Sequence, residues 1–166
     1  MHRLRVLVVA LIALALSFTG LSTASANTGS SRPPEIGFLS PVAWTTPWKA
    51  NVAHVIGTYR CWGPSEAMHL WVSVKQGGPD PTAEGSSSTV KAWYDTNISQ
   101  DVAVRCNGRW QTTTVDLGRH PTDFSGRPLG YLKNGRAWLQ FCLVPPDQSV
   151  LFASKSRWVT VVGARH

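Results

Sequence analysis

The chain contains 166 residues with a formal net charge of +7, and eight of its residues are tryptophan. This length is enough for one domain with its own hydrophobic core. Lysine and arginine are scattered along the sequence, and it shows no recognition helix, zinc-ligand spacing or basic stripe, which argues against specific nucleic-acid binding. The positive charge serves solubility, or a weak attraction to anionic cell-wall polymers and acidic glycans.

The first 26 residues have the three parts of a cleavable signal peptide. Met1–Arg5 is basic, Val6–Phe18 is apolar, and Ala24–Ala26 offers small residues where signal peptidase cleaves. The apolar run is shorter than the roughly 20 residues of a membrane-spanning helix, so an uncleaved anchor is the less favoured alternative. We expect cleavage before Asn27 and secretion of a mature protein that has no membrane association. It would carry a charge of +5, because two of the arginines leave with the signal peptide.

Two short segments precede the main domain. Asn27–Glu35 is rich in Ser, Gly and Pro, which predicts a flexible leader. Ile36–Trp48 is more apolar but is interrupted by Pro41 and Pro47, as is typical of an extended segment at the edge of a sheet. We therefore expect residues 27–48 to form a leader and edge segment, and residues 49–166 to form the folded domain.

The rest of the chain shows the alternation and composition of β-strands. Seven segments are predicted strands: Val52–Cys61, Met68–Gln76, Ser88–Thr96, Val102–Cys106, Trp110–Leu117, Gly135–Val144 and Ser156–Gly163. Asn107-Gly108 predicts a type I′ hairpin turn between two of them, and Gly118–Asn134 is a long connection. Seven short strands favour an all-β, immunoglobulin-like Greek-key sandwich. A closed barrel is the alternative.

Three cysteines follow the signal peptide and allow three pairings. Cys61 is in phase with the apolar Tyr59, and Cys106 with the apolar Val104, so both are expected on the core face of their strands. Cys142 lies in the opposite phase from the apolar side chains of its own strand. Strand phase therefore favours a Cys61–Cys106 disulfide, with Cys142 as a thiol outside it.

Several short runs carry a family resemblance. They are Gly57–Cys61, the strand that ends at Gln76, Val104–Trp110 and Gly135–Ala137. Together the region Val52–Val144 resembles an uncharacterised family of small secreted actinobacterial proteins with an immunoglobulin-like domain. The resemblance implies that fold and a two-cysteine bridge, and it brings no known activity. The sequence departs from the family pattern at Cys142 and in its many tryptophans.

Signatures of catalysis are sparse. No two histidines have the spacing of a metal-ligand pair, and neither a nucleophile elbow nor a phosphate-binding glycine loop occurs. Cys142 with His69 or His120 would be a conceivable nucleophile and base, and converging carboxylates a conceivable glycosidase pair. A structural thiol and dispersed acids are the simpler interpretation. The sequence predicts a protein that is not an enzyme and has no metal or cofactor.

The tryptophans point to a binding surface instead. Strand phase places Trp71 with His69, Trp93 with Lys91, and Trp138 with Gln140 on polar faces. In an immunoglobulin topology these three strands share one sheet, so the six side chains would form one outer face. Aromatic rings beside hydrogen-bonding groups suit sugars, flat organic ligands or another protein. Internal packing under residues 36–48 is the alternative explanation.

The sequence thus predicts a secreted, non-catalytic module that binds extracellular polysaccharide or protein through outward tryptophans. A small-molecule carrier with an immunoglobulin-like cleft is the alternative, and a small secreted hydrolase is a further one. We expect no nucleic-acid partner.

Overall fold

The computed structural model describes residues 32–82, 90–99 and 102–164. The expected signal peptide and the start of the leader lie outside these residues. The strands are β1 (Glu35–Leu39), β2 (Val42–Thr46), β3 (Lys49–Arg60), β4 (His69–Gln76), β5 (Ala92–Asp95), β6 (Gln111–Arg119), β7 (Gly135–Val144) and β8 (Ala153–Val162). A single 3-10 turn, Ser65–Ala67, is the helical element of this part of the chain, so no helix within it is long enough to cross a membrane.

Seven of the strands form one closed barrel, in the order β3-β2-β8-β7-β4-β5-β6 and back to β3. β3 pairs with β6 along one edge and with β2 along the other. β2 then pairs with β8 in parallel, from Val42 opposite Thr160 to Trp44 opposite Val162, while the remaining pairs are antiparallel. β1 is an extra strand on β3, beyond β2.

The expected immunoglobulin-like sandwich is therefore wrong, and the closed barrel is the fold. The barrel closes because the segment 36–48 supplies two strands instead of one edge segment. The second of these strands, β2, joins β3 to β8. Backbone pairing then runs continuously around the sheet, whereas a sandwich would leave each sheet with open edges.

Large apolar side chains fill the barrel. Leu70, Val72 and Val74 of β4 are fully buried, as their phase predicts, and so is Phe141 of β7. The Phe141 ring crosses the interior to Gly57 on β3, where a Cβ atom would collide with it. Tyr94 of β5 also points inward, and burial raises its pKa to about 12. The interior is a packed core that extends between these strands.

One predicted strand does not form. Residues 102–106 have no strand pairing, so the Asn107-Gly108 hairpin is absent as well. The segment is held instead by the Cys61–Cys106 disulfide, which the strand phase predicted correctly. Two hydrogen bonds support it, from the Arg105 N–H to the Tyr59 hydroxyl and from the Cys106 N–H to Ser65 Oγ. The apolar alternation in residues 102–106 predicts a strand, but these residues form a loop that the disulfide attaches to the core.

Candidate binding surface

Four neighbouring strands, β8, β7, β4 and β5, present their outward side chains in register. Directly opposed residues form a row across the strands, which we call the tryptophan rung: Trp158, Trp138, Lys75 and Trp93. The adjacent row has a different chemistry, and we call it the polar rung: Ser156, Gln140, Ser73 and Asp95. Opposed Cβ atoms on paired strands lie about 5 Å apart, so each rung is a continuous line of touching side chains.

The tryptophan rung is open at one end and covered at the other. Trp158 is 37% exposed and meets Trp138 edge to face, with ring centroids 5.1 Å apart. The Arg136 guanidinium lies 3.8 Å from the centre of the Trp158 ring, a cation–π contact that fixes the indole. At the other end Trp93 is only 4% exposed. Lys75, between Trp138 and Trp93, is also buried. A ligand therefore has access to the rung at its Trp158 end.

The loop after β6 covers Trp93. The His120 ring stacks on the indole at 3.7 Å and almost parallel to it, and Phe124 meets the indole edge-on at 5.3 Å. The His120 N–H also donates to the Trp93 carbonyl. Trp93 packs with Val90 and Leu129 in a small apolar cluster separate from the barrel core. The cover is thus residues 120–129, whereas the sequence suggested residues 36–48 as the alternative to exposure.

Asp123 gives this loop its shape. Its buried carboxylate accepts hydrogen bonds from the Ser125 and Arg127 backbone N–H groups, the Ser125 hydroxyl and Arg127 Nε, at 2.7–2.9 Å. These donors, the Ser125 and Arg127 side chains first, hold the pKa of Asp123 well below its usual range. Arg127 in turn donates to the Val90 carbonyl. The cover over Trp93 is consequently a preformed structure.

Asp95 lies at the covered end of the polar rung and is fully buried. One carboxylate oxygen accepts from the Asn97 N–H at 2.9 Å. The other lies 3.0 Å from His120 Nε2, although the two atoms are not aligned for a hydrogen bond. The His120 ring is therefore positioned by Trp93 on one face and by the Asp95 carboxylate at its edge.

The two rungs contain buried polar atoms that have no hydrogen-bond partner within the described residues. They are Ser73 Oγ, Gln140 Oε1, Asp95 Oδ2, Trp93 Nε1 and Trp138 Nε1. Buried polar atoms nearly always have partners in folded proteins, supplied by the chain, by water or by a ligand. Five such atoms on neighbouring positions of this face make it a candidate site for ordered waters or polar ligand groups.

The structure brings half of the six predicted site residues into the rungs: Trp93, Trp138 and Gln140. Trp71 lies one position further along the sheet, opposite Cys142, and His69 lies beyond it opposite Val144. His69 lines a separate cleft of about 340 Å³ with Glu66 and Val104. Lys91 is exposed, two residues before Trp93. The buried Cys142 takes no part in a disulfide.

The predicted site residues do not include six residues of this surface: Ser73, Lys75, Asp95, His120, Ser156 and Trp158. Lys75 and Asp95 carry a usable signal, because each is in phase with a predicted outward tryptophan of its own strand. The place of Trp158 in this row follows only from the pairing of its strand with β7, which sets it opposite Trp138. His120 carries no such signal, since it lies in a loop whose path over Trp93 is set by tertiary contacts.

A second aromatic surface lies elsewhere on the barrel. The Arg60 guanidinium is placed between the Trp62 and Trp110 rings, 5.3 and 4.9 Å from their centres. Both oxygens of Glu35 accept hydrogen bonds from Arg60 at 2.8 Å. The Glu35 carboxylate thus neutralises the Arg60 guanidinium. Among the residues that the structure describes, no three His, Cys, Asp or Glu side chains gather as a metal site would need.

No protein-family model matches the sequence, and no curated protein matches it either. Among solved structures the chain is similar to part of a β-glucosidase from Listeria innocua in complex with glucose, at 17% identity and a TM-score of 0.31, over 77% of this chain and 15% of that one. It is also similar to part of DesR, a β-glucosidase from Streptomyces venezuelae in complex with D-glucose, at 14% identity and a TM-score of 0.32, over 76% of this chain and 15% of that one. The chain thus spans about 15% of the length of these enzymes. Likenesses this distant assign neither a family nor an activity to it.

Proposed function

We propose that the protein is a secreted, non-catalytic module that binds extracellular polysaccharide along the tryptophan rung. The observation that carries this proposal is the Trp138–Trp158 pair beside buried polar atoms without partners. Indole faces complement the apolar faces of sugar rings, and amide, hydroxyl and indole N–H groups complement sugar hydroxyls. The open Trp158 end admits an extended chain.

A polysaccharide suits this surface better than a protein partner does. Protein interfaces usually centre on a contiguous apolar core with a polar rim. Here polar atoms alternate with aromatic rings: Gln140 adjoins Trp138, and Ser156 adjoins Trp158. A surface that mixes polar atoms with aromatic rings complements a ligand whose own surface alternates between hydroxyl groups and C–H faces.

Binding without catalysis is supported by the state of the acidic groups. Asp95 is fully buried beside His120, and Asp123 is engaged by Ser125 and Arg127. Neither carboxylate is presented to a substrate as a general acid or nucleophile would be. Secretion is supported by the Cys61–Cys106 disulfide, since such bonds persist in oxidising compartments, together with the signal-peptide pattern.

The small-molecule carrier suggested as an alternative finds less support. A carrier of this size needs an internal cavity or a deep cleft. Leu139, Phe141 and Tyr94 occupy the interior between the described strands and are fully buried. The interior is accordingly core, which disfavours a ligand carried inside the barrel.

Affinity electrophoresis of the mature protein through gels containing cell-wall and plant polysaccharides tests the proposal. We expect retardation by at least one polysaccharide, and Trp158→Ala should weaken it about tenfold through loss of the stacking contact. Trp48→Ala is the matched control, because Trp48 is 81% exposed and lies outside both rungs. Equal retardation of the two variants would contradict the proposal. So would retention that survives enzymatic digestion of the glycan, since that would indicate a protein partner.

A further inference from the structure

A pocket of about 370 Å³ opens at the rim of the barrel, where β4 ends and β5 begins. Its walls include Gly77, Lys91, Tyr131 and Lys133. Lys91 packs against Gly77, where an added Cβ atom would come within 3.1 Å of the lysine side chain. Lys91 immediately precedes β5 and is two residues before Trp93. The pocket therefore adjoins the covered end of the tryptophan rung.

The pocket is electropositive. The ammonium groups of Lys91 and Lys133 form no ion pair or side-chain hydrogen bond within the described part of the chain, and none of the described lining residues is acidic. Tyr131 lines the pocket, and the Arg119 guanidinium lies 4.4 Å from the centre of its ring, which brings a further positive charge near the pocket. A cleft bordered by charges of one sign concentrates ligands of the opposite sign.

The backbone around both lysines is held in place. The Gln76 amide donates to the Lys133 carbonyl at 2.8 Å and accepts from the Lys133 N–H at 2.7 Å. It also donates to the Arg136 carbonyl. On the opposite wall the Gly130 N–H donates to the Lys91 carbonyl at 2.8 Å. The lysine positions are thus set before any ligand arrives, which lowers the ordering cost of binding.

We propose that this pocket is an anion subsite that binds the carboxylate of an acidic sugar. The inference rests on the proposed polysaccharide function and narrows it to glycans that carry uronic acid groups. One carboxylate in contact with the two ammonium groups would offset one of their two positive charges.

The test uses ¹⁵N-labelled mature protein titrated with D-galacturonate, with its uncharged methyl ester and with acetate. We expect galacturonate to shift the amide signals of Gly77, Gly130 and Lys133, and the ester and acetate to leave them in place at equal concentration. Lys91→Gln/Lys133→Gln should weaken the galacturonate titration about tenfold, as for the loss of two exposed ion pairs. Lys49→Gln/Arg109→Gln is the charge-matched control, because both side chains are exposed and lie away from the pocket.

Unchanged titration in the pocket variant would overturn the subsite, as would an equal response to the methyl ester. An equal response to acetate would also overturn it, since the pocket would then recognise charge without sugar. Trp158→Ala separates the two proposals. If polysaccharide retardation is indifferent to Trp158→Ala while the pocket titration persists in the wild type, the tryptophan rung fails and the subsite stands. If retardation depends on Trp158 while galacturonate leaves the pocket signals in place, the subsite alone fails.

Discussion

Trp93 and Trp48 both lie outside the barrel interior, yet their exposed fractions are 4% and 81%. Replacing each with alanine therefore measures whether the 120–129 loop covers the tryptophan rung. Trp93→Ala removes the surface on which His120 stacks at 3.7 Å and leaves a cavity beside Val90 and Leu129. Buried Trp→Ala changes cost about 3–5 kcal/mol, so we expect about 4 kcal/mol for Trp93→Ala. Trp48→Ala should stay within about 0.5 kcal/mol of the wild type.

Guanidinium-induced unfolding of the oxidised mature protein gives both values, and Trp93→Phe provides a graded variant. Phenylalanine retains an aromatic face for His120, so its cost should fall between those of the two alanine variants. If Trp93→Ala unfolds at the same denaturant concentration as Trp48→Ala, the loop does not cover Trp93 in solution. The tryptophan rung would then be open along its whole length, and the distinction between its two ends would be wrong.

Two further predictions concern what holds the fold and the cover in place. Cys61→Ala/Cys106→Ala opens a loop spanning 45 residues, so in the chain-entropy model the free energy of unfolding should fall by about 4 kcal/mol. Cys142→Ser leaves the disulfide intact and should cost less in the same assay. A disulfide-linked peptide containing Cys142 in a non-reducing map would contradict the pairing. The pKa of Asp123 is lowered in the folded state, so its contribution to stability is present above the ordinary pKa of 3.8 and is lost as the pH falls towards the folded value. The free energy of unfolding measured between pH 6 and pH 3 should therefore depend less on pH in Asp123→Asn than in the wild type. Parallel pH profiles would refute the role assigned to this carboxylate.

Local periodicity was enough to predict most of the strands. Gly135–Val144 forms as predicted, and the inward phase of Leu70, Val72 and Val74 is confirmed by their complete burial. The Cys61–Cys106 disulfide followed from the same phase argument. Periodicity failed at residues 102–106, because alternation in so short a run does not distinguish a strand from a loop that inserts alternate side chains into the core. It also carries no information on which edges meet, and so could not separate a barrel from a sandwich.

The candidate surface was only partly accessible to sequence reasoning. The outward phases of Trp93 and Trp138 follow from alternation, but their common row requires the register of β5, β4 and β7. The burial of Trp93 requires the path of a loop that begins after Arg119. Loop paths depend on contacts such as those of Asp123 with Arg127, which have no periodic signature in the sequence.

The parallel pairing of β2 with β8 has a consequence for the order of folding. Val42 meets Thr160 across nearly the whole folded domain, and the Arg157 side chain donates to the Leu39 carbonyl over the same span. A chain that emerges N-terminus first, from the ribosome or through a membrane, exposes β2 long before β8 is available. Contacts of such large sequence separation form late and slow the folding of β-proteins. Until β8 arrives, one edge of β2 offers unpaired N–H and C=O groups to neighbouring chains, so we expect this incomplete barrel to be more prone to aggregation than the closed one.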